Sequence, residues 1–268
     1  MGRLAILACG GALPVRLSEA HPDALVITLR GIDSALGDRS EQHELEKIGA
    51  LFASMKAFDV DRMVFAGALS RPAIDPARFD GMMTRIAPRL MAAMPQGDDA
   101  LLRTVIAIFE EQGFAVLGAH ELLPELVAPS GFAHGPAPDA GALRDMARAA
   151  EILTTIGPLD LGQGCVVGGG QCLGIETVQG TDALLRFVAQ TDPALRRGGR
   201  GVFVKAPKAG QDLRIDMPVI GPGTIEAVVA AGLAGVVIAA GQVMILDRDE
   251  VLRRASDAGV FVLARDLA

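Results

Sequence analysis

The chain has 268 residues, a net charge of −7, half of its residues hydrophobic, and ten Phe with neither Trp nor Tyr. That length suits two compact domains better than one. The acidic balance, with no long basic run, argues against a nucleic-acid partner, and the lack of Trp and Tyr leaves few platforms for base stacking. The most apolar stretch, residues 231–240, is broken by Gly232 and Gly235, and a membrane-crossing helix needs roughly 20 apolar residues. No secretory signal is recognisable at the N-terminus. Cys9, Cys165 and Cys172 form no Cys-x-x-Cys pair, which argues against a disulfide framework or a structural zinc site and fits a reduced cytoplasm.

In chain order, residues 4–8, 24–29 and 63–66 are continuous apolar runs of the kind that parallel, doubly covered strands show. Pro14 sits where a helix after Gly10-Gly11 would take its first turn. Residues 41–58 place Leu45, Ile48, Leu51, Phe52 and Met55 at helical spacing, residues 100–109 do likewise, and residues 114–117 read as a further strand. Pro129, Gly131, Gly135, Pro136 and Pro138 mark a linker, so the domains are set at 1–130 and 140–268, with 131–139 between them. Beyond it come a helix at 140–156, a glycine-turned hairpin over 164–176, a helix through residue 190 capped by Thr181, a strand at 201–205, a helix at 224–231, strands at 236–239 and 243–246, a helix at 249–258 and a strand at 260–264. The pattern is α/β throughout: an N-terminal doubly wound, mostly parallel, Rossmann-like sheet and a C-terminal α/β domain on a mixed sheet.

Three polar groups stand out. Gly10 and Gly11, between the first strand and first helix, suit a close-approaching anion, and a tight turn into the helix explains them equally well. In Gln96-Gly97-Asp98-Asp99 two adjacent carboxylates open a helix, where one suffices to cap it. The densest group spans residues 205–216: Lys205, Lys208 and Arg214 could neutralise a diphosphate, and Asp212 and Asp216 could hold a divalent metal. If residues 211–217 are extended, Asp212, Arg214 and Asp216 share one face; the bland alternative is a charged edge strand that blocks aggregation. His21, His43, His120 and His134 have no metal-ligand spacing, no Gly-x-Ser-x-Gly elbow occurs, and Cys165 and Cys172 read as inert buried residues.

Gly10-Gly11-Ala12-Leu13-Pro14, residues 96–103, residues 118–124, Gly180-Thr181-Asp182-Ala183 and residues 205–218 occur in an order that resembles the UDP-2,3-diacylglucosamine pyrophosphatase family of the lipid A pathway, the type unrelated to calcineurin-like metallophosphoesterases. The resemblance covers nearly the whole chain. It implies a Mg²⁺-dependent hydrolase that splits UDP-2,3-diacylglucosamine into UMP and 2,3-diacylglucosamine 1-phosphate, a two-domain homodimer holding substrate between its domains, and transient contact with the cytoplasmic face of the inner membrane. Carried onto this sequence, it makes Asp216 and Asp212 catalytic and metal-binding, Lys205, Lys208 and Arg214 catalytic cations, and Gly10, Gly11, Gln96, Asp98, Asp99, Thr181, Asp182 and Gln211 substrate-binding. Two positions depart from the family pattern. Gln179 replaces a glutamate before Gly-Thr-Asp, with Glu176 not read as its substitute, and Ala209 replaces a proline after Lys208, which loosens the loop without removing charge. A non-catalytic nucleotide-sugar sensor and a UDP-sugar transferase are the competing readings.

Overall fold

The computed structural model describes residues 2–69 and 74–267. Backbone contacts divide them into two units, the first taking everything described up to Pro124 together with Asp212–Asp216, the second taking Glu125–Gln211 and all residues from Met217 onward.

The first unit runs β1 (Arg3–Ala8), α1 (Leu13–Ala20), β2 (Leu25–Leu29), β3 (Glu41–His43), α2 (Ile48–Ala57), β4 (Val60–Ala66), α3 (Gly81–Ala93), α4 (Asp98–Glu111), β5 (Ala115–Leu117) and α5 (Ala119–Leu122). Its strands are all parallel in the order β3-β2-β1-β4-β5. The order reverses between β1 and β4, the topological switch point at whose carboxyl end open α/β sheets bind ligands. Leu7, Ile27, Leu51, Met55 and Met63 bury one face of the sheet, with Phe52 meeting Phe109 edge to face at 5.0 Å between ring centres. The helix expected over residues 41–58 is shorter than its periodicity suggests. Residues 41–43 pair with β2 instead, because Glu41 takes hydrogen bonds from Ser54 and pairs with His43, fixing a polar edge strand against α2.

The second unit runs β6 (Ala133–His134), α6 (Ala140–Ile156), β7 (Gly164–Gly168), β8 (Gln171–Ile175), α7 (Gly180–Ala189), β9 (Val202–Lys205), β10 (Val219–Ile220), α8 (Pro222–Ala230), β11 (Gly235–Ala239), β12 (Met244–Ile245), α9 (Arg248–Ala258) and β13 (Phe261–Arg265). Six strands form a mixed sheet in the order β6-β13-β11-β9-β7-β8, and β10 and β12 pair separately. Residues 131–139, read from sequence as a linker, contain β6, which pairs antiparallel with β13. Strand alternation sorts the side chains. Val202 and Val204 of β9 face Ala149 and Leu153 of α6, whereas Phe203 packs with Leu184 and Val188 of α7 and Ile225 of α8. Lys205, next after Val204, therefore falls on the α7 side. The expected hairpin is β7 and β8. Its Gly169-Gly170 turn is held by the buried Asp145 of α6, whose carboxylate accepts both amide N–H groups at 3.0 and 2.8 Å.

Candidate active site

Two charged clusters carry most of the residues singled out from sequence, one in each unit. In the first unit α4 opens at Asp98 and Asp99 behind Gly97, whose φ of 104° lies in the range glycine adopts freely. Asp99 pairs with Arg103 one turn along, at 2.6 Å. Glu110 lies on the same helical stripe, since positions 99, 103, 106 and 110 recur at spacings of four and three.

Residues 211–217 are not an extended strand. Leu213, Arg214 and Ile215 form a turn in which the Asp212 carbonyl accepts the amides of Ile215 and Asp216 at 3.4 and 3.3 Å. The Asp212 carboxylate closes it by accepting the Arg214 amide at 3.1 Å, the local side-chain bond with which aspartate competes against regular strand structure. The Arg214 guanidinium then grips Asp212 with Nε at 2.9 Å and Nη2 at 2.6 Å, and its Nη1 reaches Glu110 at 2.8 Å. Arg214 holds the Asp212 carboxyl below the ordinary aspartate range, with Arg103 adding a smaller pull. The same pairing raises the already high value of Arg214. Ile215, half-buried, packs on the apolar core of the unit, so a salt link and an apolar contact together fix where Asp216 emerges.

At the switch point, Gly10 follows β1 and exchanges backbone hydrogen bonds with Ala68 after β4, at 3.2 and 2.9 Å. Gly67, at φ 90°, leaves no room for a side chain, because a Cβ there would lie 2.3 Å from the Gly10 carbonyl oxygen. Gly11, at φ 97°, has open space about it and leads into α1. Gln96 turns back to donate to the Ala92 carbonyl at 2.9 Å.

In the second unit Lys205, at the carboxyl end of β9, is 4% exposed, and its ammonium donates to Glu176 at 3.3 Å and to the Thr181 hydroxyl at 2.5 Å. Thr181 is not the cap expected of it. Gln179 occupies that position without a side-chain bond to the helix amides, its side chain accepting from Thr177, and the threonine hydroxyl serves the lysine instead. Asp182 lies in the first turn of α7, its carbonyl accepting Arg186 Nε at 3.2 Å. Lys208 pairs with Asp160 at 2.5 Å. The Gln211 side chain accepts the Lys208 amide at 2.9 Å, closing the loop that contains Ala209.

Glu176, Glu110, Arg103 and Asp160 were not chosen from sequence as site residues. For Glu110 and Arg103 the signal was the α4 stripe shared with Asp99. For Glu176 it was strand alternation after Ile175, which faces the α6 side of the sheet.

Among the described residues no group of three or more His, Cys, Asp or Glu side chains converges on a metal-sized site. Asp212 and Asp216 do offer hard oxygen donors, and magnesium commonly takes only one or two carboxylates and completes its shell with substrate phosphate and water. Both Asp212 oxygens accept from the Arg214 guanidinium, so an ion there would share that carboxylate with Arg214.

The fold and these clusters define a two-unit α/β protein with a doubly wound first unit and opposed charges gathered at short, backbone-fixed segments in each unit. The family models of the LpxI N-terminal domain and the LpxI C-terminal domain match residues 3–126 and 129–263. The chain is also 40% identical over 276 aligned positions to the UDP-2,3-diacylglucosamine pyrophosphatase LpxI of Caulobacter vibrioides, covering 99% of this chain and 98% of that protein. The chain belongs to the LpxI family.

Proposed function

We propose that this protein hydrolyses the diphosphate of UDP-2,3-diacylglucosamine, releasing UMP and 2,3-diacylglucosamine 1-phosphate, in lipid A synthesis. The observation that carries the reading is the 40% identity to the Caulobacter pyrophosphatase across 99% of the chain. In the reaction water adds to one phosphorus and the bridging P–O bond breaks, so the protein must neutralise phosphate charge and hold an oxygen nucleophile in line. We assign Mg²⁺ to Asp212 and Asp216; when bound, it would supply charge neutralisation on the diphosphate oxygens. Lys205, Lys208 and Arg214 are the cations that meet developing negative charge, and Gly10, Gly11, Gln96, Asp98, Asp99, Thr181, Asp182 and Gln211 are the substrate-binding candidates.

The cationic roles differ in what the side chains already hold. Arg214 is engaged on both sides by Asp212 and Glu110, which suits a group that sets the position of the turn as well as its charge. The Lys205 ammonium carries three N–H bonds, two of them committed to Glu176 and Thr181 among the described residues, so one donor is left for a phosphoryl oxygen. No helix among the described residues is long and apolar enough to cross a membrane. The lipid substrate supports transient contact with the cytoplasmic face of the inner membrane, and a homodimer is the assembly proposed.

Purified protein supplied with UDP-2,3-diacylglucosamine and Mg²⁺ is expected to release UMP, followed by anion-exchange chromatography, and to stop when EDTA is added. No UMP with any divalent metal would refute the hydrolase reading. Transfer of UMP to an added acceptor would favour a transferase, and binding without turnover a sensor. Light scattering coupled to size exclusion tests the dimer, and flotation with anionic vesicles tests the membrane contact.

A further inference from the structure

Three neighbouring strands of the second unit bring one residue each into a single row. Gly164 of β7 is paired with Lys205 of β9. On its other side, β7 and β8 are in register at Cys165 and Ile175, and the Glu176 amide donates to the Gly164 carbonyl at 2.7 Å, continuing the ladder by one residue. Glu176, Gly164 and Lys205 therefore stand side by side on the α7 face of the sheet. The middle position carries no side chain. Across that gap the Glu176 carboxylate reaches the Lys205 ammonium at 3.3 Å, and both residues are almost wholly buried.

The gap is required by the pair. A Cβ on Gly164 would come within 2.5 Å of Glu176 Oε2 and 2.8 Å of the Phe203 ring. Gly162 has a matching constraint, because a Cβ there would lie 2.0 Å from the Glu176 carbonyl oxygen. Two glycines thus seat one glutamate, and that glutamate faces one lysine. A buried ammonium needs a counter-charge to stay charged, and its hydrogen bonds to Glu176 and Thr181 determine where the remaining N–H points.

We propose that Glu176, seated across Gly164, is a positioning residue for the pyrophosphatase reaction: it fixes the Lys205 ammonium so that its open donor meets a phosphoryl oxygen of the substrate. The assignment rests on the role given to Lys205 under the proposed function.

The test uses the full-length protein and Glu176→Gln, Gly164→Ala, Lys205→Ala and the Glu176→Gln/Lys205→Ala double variant, each checked for native far-UV circular dichroism. Glu176→Gln should lower kcat for UMP release roughly tenfold with KM changed less than about twofold, the pattern of lost orientation. Gly164→Ala, which displaces the carboxylate without changing charge, should do the same. Lys205→Ala should cost about 100-fold, and adding Glu176→Gln to it should cost nothing more, since a group acting through Lys205 has nothing left to act on. An equal fractional loss from Glu176→Gln in both backgrounds, or a full rate for Glu176→Gln, overturns the proposal. A second readout separates this idea from the reaction itself. The ¹⁵N-detected Lys205 Nζ–H₃ resonance should be slowly exchanging in the unmodified protein and broadened away in Glu176→Gln and Gly164→Ala. If the protein releases no UMP and yet shows that protected signal and its loss, the reaction reading fails and the positioning stands. An Nζ signal unaffected by both substitutions overturns the positioning whatever the activity.

Discussion

Replacing Arg214 by Met keeps most of the side-chain length and removes the guanidinium that closes the turn at residues 212–216. The structure gives what is lost: contacts of Nε and Nη2 with Asp212 at 2.9 and 2.6 Å, and of Nη1 with Glu110 at 2.8 Å. Hydrogen bonds to charged groups contribute about 1.5–3 kcal/mol each when sheltered, and exposed ion pairs about 0.2–1 kcal/mol. Arg214 is 35% and Glu110 43% exposed, while Asp212 is 18% exposed, so the Glu110 link counts as a surface pair and the Asp212 fork as a partly sheltered one. Together they should hold the turn by about 1.5–2 kcal/mol. Because 1.4 kcal/mol is a factor of ten, hydrogen exchange at the Ile215 and Asp216 amides should quicken by roughly tenfold to thirtyfold in Arg214→Met, with the rest of the first unit unchanged.

The same variant has a pH signature. Arg214 depresses the Asp212 carboxyl. A carboxyl lowered on folding contributes stability that is complete above its unfolded value of about 3.9 and is lost as pH falls through the lower folded value. Protection of these two amides, after correction for intrinsic exchange, should therefore decline below about pH 4 in the unmodified protein, and that decline should be much weaker in Arg214→Met. Equal protection in the two proteins at neutral pH would show that Ile215 alone holds the segment and would refute the reasoning.

Other consequences are more local. Asp145→Ala removes the buried carboxylate that accepts two amides at the β7–β8 turn and, because half-buried Gly169 and exposed Gly170 can turn to water, should destabilise the second unit by about 1–2 kcal/mol in urea denaturation, while Asp145→Asn should recover part of that. Gly67→Ala, forced to hold φ near 90° with its Cβ against the Gly10 carbonyl, should lower stability by about 2 kcal/mol or more, read as a lower thermal midpoint. Of the three thiols, exposed Cys172 should react with Ellman's reagent in the native protein at pH 8. Burial pushes Cys9 up to about 11 and raises Cys165 as well, so those two should react only after unfolding.

Most of the architecture was legible because buried parallel strands announce themselves. The runs at residues 4–8, 24–29 and 63–66 fall within β1, within one residue of β2 and within β4, and the helix read at 140–156 is α6 residue for residue. Short polar strands carry no such signal: β3 is Glu-Gln-His, held by Ser54 and by pairing with β2. Helix α3 was not read at all, since Pro88 interrupts its pattern. In the candidate site, residue types were readable and conformation was not. Asp212 and Arg214 two apart look alike whether they share a strand face or close a turn, and only the carboxylate's bond to the Arg214 amide decides it. Thr181 ahead of an apolar helical face satisfied every rule for a cap, but Lys205, twenty-four residues later in sequence, claims its hydroxyl.

Asp212–Asp216 belong by their contacts to the first unit although the chain on either side belongs to the second, and the C-terminal family model, at residues 129–263, includes them. A gene cut near residue 127 would therefore yield an N-terminal polypeptide missing five residues that its helix α4 is built to receive. Its Glu110 would lose its arginine partner, and the apolar surface that Ile215 covers would be laid open. Coexpressed halves would regain that surface only by trading the segment back, which makes fragment complementation, rather than the isolated halves, the natural format for dissecting this enzyme.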